Sequence, residues 1–238
     1  MKSIIISLAL CFTFNLLIAQ GIESLPDLNG NLNDWYSSVN DLSSPIMKGT
    51  YFYYTQEQMV TQDQNPFYKQ GWDQLGSITF EGRTYSNMNM VYNTSEDVLL
   101  IWSWDMRLEG IKSLLIDQTK IDAFIIHKDR FLSEKHANVG RPGFYRVIVE
   151  GENLALYAKE EKRGSLEGMY YEFEENRQYY LRYNERTFKY NRKSSLYRIF
   201  PEYKKQIRKY INTSFSSWKK GDERLLKATL TYCDSIVK

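Results

Sequence analysis

Residues 76–85 read Gly-Ser-Ile-Thr-Phe-Glu-Gly-Arg-Thr-Tyr, and this stretch decides the fold class. Ile78 and Phe80 alternate with polar neighbours, which is the period of a half-buried strand. Glu81 and Gly82 follow as a two-residue turn, in which glycine supplies the positive φ that a tight hairpin needs. Tyr85 lies on the return strand. The stretch therefore predicts an antiparallel hairpin.

Further segments with strand character follow at short and fairly regular spacing, and polar turn residues separate them. No helical spacer lies between them, and this pattern favours an antiparallel sheet over a parallel α/β fold. We expect a meander that forms a sandwich or a curved half-barrel, with residues 164–168 as a loop between strands. The other predicted strands are residues 50–54, 88–92, 98–102, two within 114–126, 144–149, 154–158, 169–173, 178–183 and 186–190.

The last part of the chain changes to helical periodicity. Ser194 and Ser195 are suited to cap a helix, Pro201 fits the first turn of a second helix, and Asp222 is placed to cap a third. The predicted fold class is mainly β with C-terminal helices (α+β), with the helices on one face or end of the sheet. The expected division is a signal peptide at 1–20, a loosely structured lead-in at 21–48, a β body at 49–191 and a basic helical C-terminus at 192–238.

The first twenty residues are typical of a secretory signal peptide. Lys2 precedes an apolar run over residues 4–18, and the small Ala19 followed by Gln20 indicates a cleavage site. The span is short and contains Asn15, which disfavours an uncleaved membrane anchor. We therefore expect export to the periplasm, the outer membrane or the exterior, with no transmembrane segment left after cleavage.

Composition limits the fold more than the function. Apolar residues make up 42% of the 238-residue chain and charged residues 25%, as in soluble globular domains. Aromatic residues reach 15%, with 19 tyrosines, which suits strand faces and also recognition surfaces. Cleavage of the signal removes Cys11 and leaves only Cys233, so we expect a core without disulfides and Cys233 as a small buried residue.

Positive charge collects near the C-terminus. Residues 177–220 contain thirteen basic and two acidic residues, a local charge of +11 against +2 for the whole chain. On the predicted Pro201 helix, the spacing of the basic residues places them on one face, which attracts anionic lipid headgroups, lipopolysaccharide or an acidic partner. The alternative is a solvated face whose side-chain stems cover apolar surface. The candidate binding residues in this region are Lys204, Lys205, Arg208, Lys209, Arg192 and Lys193.

Aromatic side chains provide a second candidate. Trp102 ends an apolar strand and is expected in the core, whereas Trp104 stands beside charged residues and is expected to be the more exposed ring. An exposed tryptophan can stack on a sugar or line an apolar groove. A carrier or binding module, with an apolar or glycan ligand held by a curved aromatic-rich sheet, is therefore the alternative function.

Catalytic and metal-binding patterns are weak. His127 and His136 are the two histidines, and no cysteine or carboxylate completes a metal-ligand spacing around them. Ser165 lacks the spacing of a nucleophile elbow. We expect no catalytic residues, no metal, no cofactor and no nucleic-acid partner, and an enzyme centred on one of the histidines is the third hypothesis.

Several of these segments together resemble a protein group. They are residues 76–85, Met90-Val91-Tyr92, residues 97–101 and Ser194 to Phe200 with the basic helix that follows. The chain is similar to uncharacterised secreted β-rich proteins of the Bacteroidota, and the signal ending Ile18-Ala19-Gln20 also looks like theirs. The resemblance covers most of the mature chain and implies a fold and a compartment, but no activity.

The sequence thus predicts an exported, non-enzymatic protein of the cell envelope that interacts with an anionic surface or partner through its basic C-terminal region. Expression in a Bacteroidota host should give a mature chain that starts close to Gln20 and lies outside the cytoplasm. Fractionation followed by mass spectrometry of the N-terminal peptide measures this. Recovery of the intact chain from the cytosol would exclude export.

Overall fold

The computed structural model describes residues 44–53, 65–70, 74–105, 110–167, 170–215 and 222–237. The predicted signal peptide and most of the predicted lead-in lie outside these residues. The described chain is mainly antiparallel sheet with C-terminal helices, as predicted. Its strands are β1 (Thr50–Phe52), β2 (Gln74–Phe80), β3 (Arg83–Asn93), β4 (Val98–Asp105), β5 (Gly110–Leu115), β6 (Ile121–Ile126), β7 (Asp129–Ser133), β8 (Phe144–Glu150), β9 (Leu154–Glu167), β10 (Tyr170–Tyr183) and β11 (Arg186–Tyr190).

All the described strands form one open sheet in the order β1-β5-β4-β3-β2-β6-β7-β8-β9-β10-β11. The strand order departs from chain order where β6 joins β2 instead of β5. In a flat sheet β5 and β6 would be four strand spacings apart, about 19 Å. The connection between Leu115 and Ile121 includes a short 3-10 helix, Gln118–Lys120, and reaches only about 16 Å. The sheet is therefore curved, and of the two predicted arrangements the curved single sheet is the one observed.

The side chain of Gln118 fixes this connection to the start of β4. It accepts a hydrogen bond from the Leu99 backbone N–H at 2.7 Å and donates to the Leu99 carbonyl at 2.9 Å. It also donates to the carbonyl of Ile116 at 2.7 Å. One polar side chain thereby continues the hydrogen bonding of β4 where the chain crosses over.

Within the described ranges, three hairpin turns have positive φ at both central residues, as two-residue type I′ turns require. The predicted turn at Glu81 and Gly82 is confirmed, and the Gly82 N–H also donates to Asp122 Oδ2 at 2.7 Å. The other two turns connect β6 to β7 and β10 to β11. Their central residues are His127 and Lys128, and Asn184 and Glu185.

Strands β9 and β10 form a ribbon fourteen residues long, which corrects two predictions. Residues 164–167 lie in β9 rather than in a loop, and the predicted strands 169–173 and 178–183 belong to the single strand β10. The residues in the middle of the ribbon are charged, so the sequence lacks there the apolar–polar alternation from which strands are predicted. Opposite charges face each other across it, which stabilises the pairing. The facing pairs are Arg163 with Glu174, Lys162 with Glu175, and Glu160 with Arg177.

The described helices are α1 (Glu134–Ala137), α2 (Lys193–Ile199), α3 (Lys204–Ser214) and α4 (Glu223–Ile236). Helix α2 starts one residue before Ser194 with Arg192 as its N-cap, so the predicted serine cap is wrong. Helix α3 begins three residues after Pro201, which lies in the preceding turn. The predicted cap of α4 is confirmed, because the Asp222 carboxylate accepts from the N–H groups of Arg224 and Leu225.

The two largest of the four apolar clusters among the described residues make up most of the interior. The strand cluster is built on β2–β8 and includes Ile78, Met90, Tyr92, Leu99, Phe124 and Phe131. The helix cluster joins β8–β11 to α2, α3 and α4 and includes Leu156, Leu181, Leu196, Ile207, Leu230 and Cys233. The predicted packing of the helices on one part of the sheet is thus confirmed. Cys233 is fully buried and unpaired, and burial raises the pKa of its thiol to about 12.

We predict that Gly76→Ala destabilises the protein by about 1–3 kcal/mol, the usual cost of overpacking. A Cβ at Gly76 would lie 2.0 Å from the backbone oxygen of Ile125 on the neighbouring strand β6. Gly82→Asn is the matched control, since a side chain there meets nothing within 4 Å and asparagine tolerates a positive φ. Urea unfolding of both variants measures the difference. An equal loss in the two would show that the close approach of β2 and β6 is unimportant.

Candidate functional site

Helix α3 brings four of the predicted binding residues together. Lys204, Lys205, Arg208 and Lys209 are all exposed, and we call them the basic face. The opposite side of the helix contributes Ile207 and Ile211 to the helix cluster. No described residue forms a salt bridge with any member of the basic face. The four charges are therefore not compensated by fixed partners within the described part of the chain.

Three of the four acidic side chains of the helical region are used internally, and the fourth, Glu202, is exposed in the turn before α3. Glu223 pairs with arginines of the sheet, and Asp222 caps α4. Asp234 accepts hydrogen bonds from the backbone N–H groups of Glu152, Asn153 and Leu154 in the β8–β9 turn. The carboxylates of α4 thus point to the sheet while the lysines and arginines of α3 face solvent. This arrangement increases the excess of exposed positive charge in the helical region over what the sequence alone indicates.

The remaining predicted binding residues are not all placed with the basic face. Arg192 and Lys193 are exposed at the start of α2, in the same helical region. Trp104 lies in β4, where its backbone pairs with Ile111 of β5, and its side chain lies outside the described residues. Since α2–α4 pack on β8–β11, Trp104 belongs to a different part of the sheet.

The two histidines do not converge on a cleft. His127 is exposed in the β6–β7 turn. His136 has a side chain 42% exposed, and its Nε2 lies 3.0 Å from Asp122 Oδ1. Among the described residues, no group of three histidine, cysteine, aspartate or glutamate side chains could hold a metal ion.

Trp102 is half-buried against the apolar residues Phe67, Val91 and Leu100.

An ion network centred on the buried side chains of Arg146 and Glu160 lies between the strand cluster and the helix cluster. Arg146 of β8 faces Phe131 of β7 and Ala158 of β9 in the strand register, so its side chain is on the same sheet face as those two residues. Its Nε donates to Glu160 Oε1 at 2.7 Å. Its Nη1 donates to Glu223 Oε2 at 2.9 Å, and its Nη2 pairs with the other Glu223 oxygen. This two-pronged arginine–carboxylate contact is among the strongest side-chain interactions.

Arg177 completes the network from β10. Its Nε donates to Glu160 Oε2 at 2.8 Å, and its Nη1 lies 3.1 Å from Glu223 Oε1. Burial disfavours the ionised form of Glu223, but the hydrogen bond and charge of Arg146 outweigh it, with help from Arg177 and Tyr179. The pKa of Glu223 therefore falls below its ordinary value, and the carboxylate is ionised at neutral pH.

A second carboxylate extends the network towards residues 65–70. Asp129 Oδ1 lies 3.8 Å from Arg146 Nη1, and its other oxygen accepts from the Tyr68 hydroxyl at 2.9 Å and pairs with Lys69. Burial opposes ionisation of Asp129, but the bonds from Lys69 and Tyr68 together with both nearby cations lower its pKa. Burial raises the pKa of Tyr68 well above its usual range, so its phenol remains a hydrogen-bond donor.

Beside this network is a small polar cleft, with a volume of about 130 Å³. Three remote stretches of chain form its wall: residues 68–69, the β3–β4 turn, and the β9–β10 ribbon. The sequence pointed to none of these residues. A usable signal was present, since Glu160 continues the inward period of Leu156 and Ala158 on β9 and thus predicts a carboxylate on the apolar face. The lining residues are Tyr68, Lys69, Thr94, Glu160, Glu161, Lys162, Glu175 and Arg177.

Comparison with known proteins gives no relative: the chain matches no family model, no curated protein and no solved structure. Within the described ranges, no helix has the length and apolar character needed to cross a membrane.

We predict that Arg146→Met destabilises the protein by up to about 3–5 kcal/mol, because it removes the most buried cation of the network and leaves Glu160 and Glu223 with Arg177 alone as counter-charge. Arg130→Met is a matched control on the neighbouring strand, where Arg130 and Glu150 form a pair that is about half exposed. Loss of such a surface pair costs about 0–1 kcal/mol. Denaturant unfolding of both variants at neutral pH measures the two losses. Similar values would show that the network contributes little to stability.

Proposed function

We propose that this protein is an exported, non-enzymatic component of the cell envelope that binds an anionic surface through its basic face. The observation that carries the proposal is the separation of charge in the helical region. Four cationic side chains of α3 are exposed, whereas Asp222, Glu223 and Asp234 are engaged by the fold. The typical signal peptide and the resemblance to secreted proteins of the Bacteroidota support the compartment.

The expected binding is electrostatic and modest in strength. Each lysine or arginine near an anionic membrane contributes about 1 kcal/mol, so the four residues of the basic face supply at most about 4 kcal/mol. Salt screens such an interaction over about 10 Å at 0.1 M ionic strength. Arg192 and Lys193 of α2 add to the same positive region. Reversible, salt-sensitive adsorption is therefore the expected behaviour.

A lipid surface fits the basic face better than a protein partner does. Protein interfaces depend on a few buried aromatic or arginine anchors surrounded by apolar contact. Among the described residues, the exposed large hydrophobic side chains are Tyr51, Tyr53, Leu75, Ile125 and Leu166, and they lie on strands of the sheet or, for Tyr53, directly after β1. The exposed side of α3 instead offers only polar and charged groups, which suits a layer of phosphate-bearing headgroups.

We predict that the mature protein binds vesicles containing anionic lipid, or lipopolysaccharide, at low salt, and that binding weakens as salt is added. Replacing Lys204, Lys205, Arg208 and Lys209 by glutamine should reduce the affinity for anionic vesicles by at least about tenfold, since most of the electrostatic attraction is removed. Co-sedimentation at several salt concentrations measures the effect, with neutral phosphatidylcholine vesicles as the reference.

The matched control replaces four exposed cations outside the basic face and changes the net charge equally. These are Lys48, Arg83, Lys135 and Arg141. The control should bind almost as well as the wild-type protein. Equal losses in the two variants would show that overall charge, and not the basic face, drives binding. Absence of wild-type binding to both anionic vesicles and lipopolysaccharide would overturn the proposal, as would binding only to an acidic protein.

A further inference from the structure

Lys162 is an unusual member of the polar cleft. It lies on β9, is only 8% exposed, and lines the cleft beside Thr94 and Arg177. Its backbone N–H bonds to the Thr94 carbonyl at 3.3 Å, which fixes the strand against the β3–β4 turn. Thr94 is fixed in turn, because its hydroxyl donates to the Pro66 carbonyl at 2.8 Å. The ammonium group is therefore presented by a well-anchored part of the backbone.

The charge of Lys162 is incompletely compensated. Its Nζ donates to the carbonyl of Asn65 at 2.9 Å, which uses one of the three ammonium donors. Glu175, which faces it across the ribbon, is exposed and forms no salt bridge with it. No other described carboxylate pairs with Lys162 either. Burial lowers the pKa of this amine, and the negative charge of Glu175 offsets that effect only in part.

The other cations that line the cleft already have carboxylate partners. Lys69 pairs with Asp129, and Arg177 pairs with Glu160 and Glu223. Among the cations that line the cleft, Lys162 is thus the one without a carboxylate in salt-bridge contact. This contrasts with Arg146, which is similarly buried and is fully surrounded by acceptors.

We propose that the cleft binds a small monocarboxylate whose oxygens accept hydrogen bonds from the Lys162 ammonium. The volume of about 130 Å³ limits the ligand to a small molecule. Three carboxylates, Glu160, Glu161 and Glu175, also line the cleft and repel a second negative charge. The site therefore favours a carboxylate with a single charge over a phosphate dianion. It is separate from the basic face, so either proposal can fail without the other.

Calorimetric titration and thermal unfolding with acetate test this proposal, and acetamide serves as a neutral probe of the same shape. Acetate should bind and raise the unfolding temperature at constant ionic strength, whereas acetamide should not. Lys162→Met keeps the length of the side chain and removes the charge. It should weaken acetate binding by at least about tenfold, the effect of losing a hydrogen bond between charged groups.

Lys135→Met is the control for this variant, because Lys135 is exposed on α1 and does not line the cleft. It should leave acetate binding unchanged. If Lys162→Met fails to fold, the comparison of acetate with acetamide on the wild-type protein still decides the matter. Equal binding of acetate and acetamide, undiminished acetate binding by Lys162→Met, or tighter binding of inorganic phosphate than of acetate would each overturn the proposal.

Discussion

The pairing of Arg146 with Glu160 and Glu223 is the interaction on which the arrangement of sheet and helices depends. Arg146 stands on β8, where the strand cluster gives way to the helix cluster. Through Glu223 it holds the first turn of α4 against the sheet, and Glu160 connects the same guanidinium to β9. An apolar contact here would allow sliding, whereas a forked ion pair has one geometry. The network thus fixes where the helices sit.

The same interaction shapes the electrostatics of the surface. Glu223 points inward because Arg146 and Arg177 require a counter-charge, and Asp234 points inward because the β8–β9 turn presents three N–H groups. The exterior of the helical region therefore keeps Glu202 as its exposed carboxylate among the described residues, whereas Glu223 and Asp234 are held by the sheet. The basic face consists of the exposed cations of α3, and Asp222, Glu223 and Asp234 do not offset it because the fold engages these carboxylates.

Local features of the fold were predictable from sequence, and non-local ones were not. Turns such as Glu81-Gly82 and the Asp222 cap depend on a few neighbouring residues, so the sequence identified them. The junction of β6 with β2 and the length of the β9–β10 ribbon depend on partners far along the chain. The basic face was found because α3 has a regular period. The cleft was missed because residues 68–69, Thr94 and Lys162 meet only after folding.

Lys162 and Glu160 show why a charged stretch in a strand carries more information than its polarity suggests. The two side chains are neighbours on the same face of β9, because side chains alternate along a strand and residues 160 and 162 are two positions apart. Glu160 meets two arginines, while Lys162 meets a backbone carbonyl and a cleft. Burial is similar for both, so their difference lies in the partners alone. Glu160 is fully paired, whereas the Lys162 ammonium has one protein acceptor. Its remaining donors are the ones that the proposed anion would use.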